Sequence, residues 1–295
     1  MLPRIAITVG DPAGIGPEIA QKAAADARVL EVCEPVLYGP APTARFEAGR
    51  ASADAGRAAF EAIASAVGDA QAGTVAAIAT APVSKTAFAL AGLPWKGHTD
   101  LLGHLCGVRR VAMMFHSRPL RVVLATVHVA LREVASLLSG ELLDGTIDLT
   151  AQAMPRFGYP SPRLAVAGLN PHAGEQGLMG VEDEEVIRPA VARARARGID
   201  AQGPFPADTV FVRALRDEFD VVVACYHDQG LIPMKLVAFG SSVNVTLGLP
   251  IIRTSVDHGT AFDIAGRGLA DPASMIEAVL LAARLASEKV RAESL

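Results

Sequence analysis

Short apolar runs rich in Val, Ile and Ala recur along the chain, and between them lie longer stretches whose apolar residues repeat at helical spacing. The runs at 4–9 (RIAITV), 74–79 (TVAAIA), 110–115 (RVAMMF), 121–127 (RVVLATV), 163–168 (RLAVAG), 220–226 (DVVVACY) and 243–247 (VNVTL) read as strands. The segments 17–27, 51–68, 130–139, 141–154, 182–197 and 272–289 read as helices. Strands this short and continuously apolar, separated by helices, predict parallel pairing through crossovers and hence an α/β fold. No composition break marks a boundary. The expected division is a first α/β domain of 1–120 plus 260–295, holding both chain ends, and a second of 121–259.

Composition narrows the classes. The 295 residues carry 51% hydrophobic side chains, ample for a buried core, and a net charge of −4. No basic tract suggests nucleic acid, and no apolar stretch reaches the roughly 18 residues of a membrane span. The three cysteines, Cys33, Cys106 and Cys225, form no CxxC and suit a reducing compartment better than a disulfide framework. The start MLPRIAITVGDP lacks a targeting signal, so a cytoplasmic location is expected.

The loop after the first run, VGDPAGIGPEI, has the strand–glycine–helix form of a nucleotide loop, with Gly10, Gly14 and Gly16. Its spacing fits neither G-x-G-x-x-G nor the Walker A pattern. Pro17 suits the first turn of a helix, and Asp11 stands either as a rim residue of a structural turn or in contact with a ligand.

Three of the seven histidines share one placement. His128, His172 and His227 each come just after an apolar run. Ligands of open α/β sheets bind outside the carboxyl ends of strands, so the three can converge on one site. Three imidazoles make a metal centre with room for substrate, and Asp228 and Glu175 stand near enough in sequence to fix ring tautomers. Taken singly, each histidine reads more readily as a loop residue bonded to backbone; it is the trio at strand ends that points to a site. His98, Thr99, Lys235, Asn244 and Arg253 together suit a phosphate group. The segment DHGTAFDIAGRGLADP resembles one in the β-decarboxylating isocitrate and isopropylmalate dehydrogenases, which bind a nicotinamide dinucleotide without a Rossmann fingerprint. It makes His258, Gly259, Thr260 and Asp263 the cofactor candidates.

From about residue 4 to about residue 285 the motifs ITVGDPAGIGPEI, TAPVSK, GHTDLLG, GLNPHAGE, GPFPADTVF, YHDQGL and NVTLGLPIIRTSVDHGTA occur in order. Together they resemble the 4-hydroxythreonine-4-phosphate dehydrogenase (PdxA) family of vitamin B6 synthesis. That resemblance implies two α/β domains around a cleft in an isocitrate dehydrogenase-like architecture. It also implies a homodimer whose active site lies at the subunit interface. By motif match the metal ligands are His128, His172 and His227, and the substrate contacts are His98, Thr99, Lys235, Asn244 and Arg253. Asp208, in FPADT, falls near the substrate and is the candidate base.

The implied cofactors are NAD and one divalent metal, zinc favoured, with cobalt, magnesium or manganese able to serve. The implied reaction oxidises 4-phosphooxy-L-threonine at C3 and releases carbon dioxide. Two features depart from the family pattern: a compact stretch around residues 40–50, and Gln176 and Leu178 where biosynthetic members commonly carry Gly and His. They open a second substrate class, the four-carbon sugar-acid phosphates threonate and erythronate 4-phosphate. A metal hydrolase or lyase without NAD, and a non-catalytic phospho-ligand binder, are the readings from other classes.

Overall fold

The computed structural model describes residues 2–41 and 43–293. Its first elements are β1 (Arg4–Thr8), α1 (Gly16–Ala24), α2 (Ala27–Val32), β2 (Glu34–Tyr38), α3 (Ala53–Gln71), β3 (Ala77–Thr80), α4 (Lys85–Leu90) and α5 (His98–Leu105). Next come β4 (Ala112–His116), β5 (Arg121–Leu124), α6 (Leu131–Leu137), α7 (Gly140–Ala153), β6 (Leu164–Ala167) and α8 (Arg188–Ala196). They are followed by β7 (Ala201–Phe205), α9 (Ala207–Leu215), β8 (Val221–Ala224), α10 (His227–Ala238), β9 (Val243–Leu247), β10 (Arg253–Ser255) and α11 (Ala273–Glu293). The mixed α/β class expected from the periodicity is the one observed.

The chain divides into two compact units, Met1–Arg109 with Val243–Leu295, and Arg110–Ser242. In the first unit the strands lie in the order β2-β1-β3-β10-β9. All neighbours are parallel except β10 and β9. In the second unit the order is β4-β5-β8-β6-β7, with β4 and β5 antiparallel and the rest parallel. The antiparallel pairs depart from the all-parallel expectation because β4–β5 and β9–β10 are joined by loops too short for a crossover. Segment 243–259, assigned from sequence to the second domain, instead supplies β9 and β10, and β10 pairs with β3 of the first unit.

Local chemistry explains the helix boundaries. Ser52 and Ser139 cap α3 and α7, each hydroxyl accepting a backbone N–H of the first turn. The expected helix 17–27 stops at Ala24 because Asp26 caps a new one, its carboxylate accepting the Arg28 N–H at 2.9 Å. The strands are short but their side chains are shut from water on both faces, as in Ile5–Thr8, Val122–Leu124 and Val221–Ala224. Each buried Val, Leu or Ile contributes about 1.5–3 kcal/mol, so the strand ends are set on a rigid base.

Candidate active site

In the second unit β5, β8, β6 and β7 stand side by side and parallel. Their carboxyl ends therefore open on one edge. His128 follows β5, His227 follows β8, His172 follows β6 and Asp208 follows β7. Because these four strands are neighbours, the strand ends that carry the four residues adjoin one another along that edge.

The His128 and His227 rings lie 5.6 Å apart, centroid to centroid. Two imidazoles sharing one zinc at 2.0–2.1 Å and tetrahedral angles place their centroids roughly 5–6 Å apart, so the pair fits two donor positions. His227 opens α10, and its Nδ1 is 2.7 Å from Asp228 Oδ1. A ring that donates from Nδ1 to this carboxylate keeps the Nε2 lone pair for a ligand. His172 does not complete a three-ligand group: among the described residues no three His, Cys, Asp or Glu side chains are arranged to hold a metal. Instead it begins a run of five left-handed residues, 172–176, in which His172, Ala173, Glu175 and Gln176 carry a Cβ. Left-handed backbone costs roughly 1–2 kcal/mol for such residues, and strain of this kind gathers at functional loops.

A cavity of about 460 Å³ is lined by Val127, His128, Leu131, Tyr226, His227 and Asp228. A second, of about 420 Å³, is lined by Asp208, Phe211, Tyr226, Asp228, Gln229 and Ile232 among others. Tyr226 and Asp228 border both, so Asp208 and the histidine pair face connected walls. Lys235 is exposed on α10, its ammonium 6.0 Å from the Phe239 ring centre.

The first unit carries a polar row that the sequence did not reveal. Register aligns Thr8 with Thr80, Thr80 with Ser255, and Ser255 with Asn244. Four polar side chains thus cross the carboxyl end of this sheet. The Thr80 hydroxyl donates to Ser255 Oγ at 2.9 Å, while Thr8 Oγ1 and Asn244 Oδ1 are buried without a partner among the described residues.

Arg253 lies beside this row, 2% exposed. Its Nη1 donates to Thr246 Oγ1 at 2.9 Å and its Nη2 to Thr80 Oγ1 at 2.7 Å. Both partners are neutral, and burial pushes the guanidinium down to about 9. His98 begins α5 and its Nε2 is shut from solvent with no partner among the described residues. Burial, helped by the Arg253 charge, holds its ring well below the ordinary histidine range, so it is neutral. Thr99 follows in the same first turn, where helix N–H groups favour an anion. Arg253 thus acts on His98 through its charge and is linked through Thr80 and Ser255 to the strand position of Asn244.

The opening glycine loop follows β1, and the 257–263 segment follows β10. They meet directly: Ile15 N–H donates to the Thr260 carbonyl at 3.0 Å. A Cβ on Gly16 would sit 2.0 Å from the Val9 carbonyl oxygen, so only glycine lets the helix start this close to the strand. Asp11 is buried, one oxygen accepting Ala13 N–H at 2.9 Å and the other without a partner among the described residues, and burial raises its carboxyl. The compact 40–50 stretch joins the same corner, Gly49 N–H donating to the Ala13 carbonyl at 2.8 Å. The loop therefore braces the candidate cofactor residues rather than forming a dinucleotide fingerprint. His258, Gly259 and Asp263 are exposed there, with His258 Nδ1 3.0 Å from the Gly259 carbonyl.

Residues 9–282 match the family model described as pyridoxal phosphate biosynthetic protein PdxA. The chain belongs to the PdxA family. A 4-hydroxythreonine-4-phosphate dehydrogenase of Desulforapulum autotrophicum is 46% identical over 322 residues, covering 95% of each chain. A D-threonate 4-phosphate dehydrogenase of Cupriavidus necator is 43% identical, covering 98% of each. The crystal structure of a 4-hydroxythreonine-4-phosphate dehydrogenase from Klebsiella pneumoniae superposes with a TM-score of 0.88 at 41% identity, covering 97% of this chain and 98% of that one. Among the described residues no helix is long and apolar enough to cross a membrane.

Proposed function

We propose that this PdxA-family chain is an NAD-dependent, metal-assisted dehydrogenase of a four-carbon phosphate. Its substrate is 4-phosphooxy-L-threonine, oxidised at C3 and decarboxylated to 3-amino-2-oxopropyl phosphate for pyridoxal phosphate synthesis in the cytoplasm. One observation carries the phosphate assignment: Arg253 is a buried cation whose hydrogen-bond partners are neutral hydroxyls. A buried charge needs an opposite charge, and a phosphate brings one together with acceptors that match the guanidinium fork. The names of the similar proteins agree, since those above act on four-carbon phosphates by their titles.

The residues present fit the metal at two positions: His128 and His227 would supply two ligands of a divalent metal, zinc favoured, and the motif match names His172, on the loop after the neighbouring strand, as the third. His258, Gly259, Thr260 and Asp263 would contact NAD. When bound, the metal supplies Lewis acidity and the nicotinamide supplies the hydride acceptor. The chain does the rest. Arg253, with neutral His98, Thr99 and Asn244 of the same unit, binds the phosphate and fixes C3, which removes orientational entropy from the barrier. The motif match adds Lys235 as a further substrate contact. Asp228 holds the His227 tautomer. Asp208 accepts the C3 hydroxyl proton. The unit works as a homodimer with its active site at the subunit interface; the exposed apolar side chains Ile232, Leu236 and Phe239 on and beside α10 support a covered face there.

A second substrate has its own support. This chain is 43% identical to the Cupriavidus relative named for D-threonate 4-phosphate and 46% identical to the threonine-phosphate relative of Desulforapulum, nearly the same. Gln176 and Leu178 occupy the loop of His172, where a C2 amine or hydroxyl could be told apart. The deciding assay follows NAD reduction at 340 nm with added divalent metal, comparing 4-phosphooxy-L-threonine with threonate and erythronate 4-phosphates. Preference for the amino acid supports the biosynthetic reading, and preference for a sugar acid replaces it. No turnover of any, with or without a chelator, overturns the dehydrogenase reading.

A further inference from the structure

Two of the three histidine segments, those of His172 and His227, are tied together by one buried amide. Gln229 lies in the first turn of α10, two residues after His227, and is 8% exposed. Its Oε1 accepts the Cys225 N–H at 2.6 Å, and its Nε2 donates to the Gly168 carbonyl at 2.7 Å. A backbone N–H can meet only the oxygen and a carbonyl only the NH2 group, so both ends of the amide are fixed by their partners. The first bond resembles the back-reach of an N3 glutamine in a capping box and orders the start of the helix that carries His227. The second grips the last residue before the His172 loop.

The junction extends in both directions. The Cys225 carbonyl accepts the Thr126 hydroxyl at 2.8 Å and the Thr126 N–H at 3.1 Å, two residues before His128. On the other side Asp183, fully buried, accepts the Leu169 N–H at 2.9 Å and the Asn170 N–H at 3.0 Å. A Cβ on Gly168 would lie 2.7 Å from Asp183 Oδ1, so the Gly168 peptide is clamped between the two side chains. The left-handed run at 172–176 is thereby anchored where it leaves the sheet.

We propose that Gln229 is a positioning residue of the active site: it locks the loop of His172 and the helix of His227 at a fixed separation, without touching a reactant. The inference rests on the metal reading above. Groups that orient metal ligands typically change metal affinity 10–100-fold when removed, and the same range applies here.

The test compares wild type with Gln229→Met, Gln229→Glu and the buried-polar control Thr150→Val, each as full-length protein stripped of metal. Cobalt(II) titration read by visible absorption and chelator competition gives affinity, amide exchange gives local order, and thermal unfolding gives stability. Gln229→Met is expected to weaken cobalt binding about 10–100-fold, lower kcat while KM for NAD stays within about twofold, and speed exchange across 168–178. Gln229→Glu keeps the acceptor for Cys225 but has no donor for Gly168. It should loosen 168–178 while the α10 start stays protected. Thr150→Val should lower the melting temperature without either change. Unaltered cobalt affinity with unaltered exchange in Gln229→Met overturns the proposal, as does an equal loss in Thr150→Val. If wild type takes up no cobalt, the metal reading fails, and the exchange of 168–178 still decides whether Gln229 ties the loops.

Discussion

Replacing Arg253 by Met separates binding from folding in an unusual direction. The side chain is shut from water, its hydrogen bonds run to the hydroxyls of Thr80 and Thr246, and burial moves it well down from the usual guanidinium range, to about 9. At 1.36 kcal/mol per tenfold change in proton affinity, holding that charge costs the empty protein roughly 5 kcal/mol. Methionine matches much of the volume and carries no charge, so the ligand-free variant should melt at the wild-type temperature or above it. The ligand-bound state tells the opposite story. Two charge-assisted bonds to a phosphate, each about 1.5–3 kcal/mol, correspond to roughly 10²–10⁴ in kcat/KM. The assay is thermal unfolding with and without saturating inorganic phosphate, followed by NAD reduction. Phosphate at about 100 times its Kd stabilises wild type by about 2.7 kcal/mol through mass action and should leave Arg253→Met unmoved. A variant that loses several kcal/mol when empty and still gains the full phosphate shift would refute the anion reading. It would make Arg253 a structural cation.

Three further outcomes follow from the same geometry. His98 has a depressed folded-state affinity for protons, so below about pH 6.5 the unfolded chain gains a proton that the folded one does not, and stability falls on acidification; His98→Gln should lose less melting temperature than wild type between pH 7 and 5. Asp228→Asn removes the carboxylate 2.7 Å from His227 Nδ1 and should weaken cobalt or zinc binding about 10–100-fold by titration, with a small change in melting temperature. Gly16→Ala places a Cβ 2.0 Å from the Val9 carbonyl oxygen, which neither backbone can yield; a loss of about 3 kcal/mol or more in urea unfolding is expected, and a neutral result would mean α1 can shift away from β1.

What could be read from the sequence was what is local. That His128, His172 and His227 each follow a strand is a property of a dozen residues around each, and the strands themselves announce their burial by unbroken apolar runs. That β5, β8, β6 and β7 are neighbours is not local, and no spacing along the chain contains it. The polar row was invisible for the same reason and one more. Thr8, Thr80 and Ser255 look like ordinary strand residues, and Thr80 and Ser255 meet across 175 positions of sequence. The chemistry of Arg253 could be named as phosphate-binding, but its isolation from acids depends on what packs around it. The left-handed run is hidden by its composition, since Ala173, Glu175 and Gln176 do not mark positive φ as Gly174 does.

Gln229 shows where the two kinds of information meet. The motif YHDQGL places it two residues after His227, which suggests proximity to a site and nothing about its task. The task depends on the Gly168 carbonyl, 61 positions away. That carbonyl is within reach only because β6 and β8 pair in register, Val166 opposite Val223. A one-residue slip of that pairing would move Gly168 by about 3.3 Å and turn its neighbours to the other face, leaving a buried amide unsatisfied at a cost of about 1–3 kcal/mol. The hydrogen bond therefore reports the register of the sheet, and the register in turn fixes where His172 and His227 leave it. Site geometry and fold specificity are the same constraint at this residue, so a substitution that loosens one is expected to loosen the other.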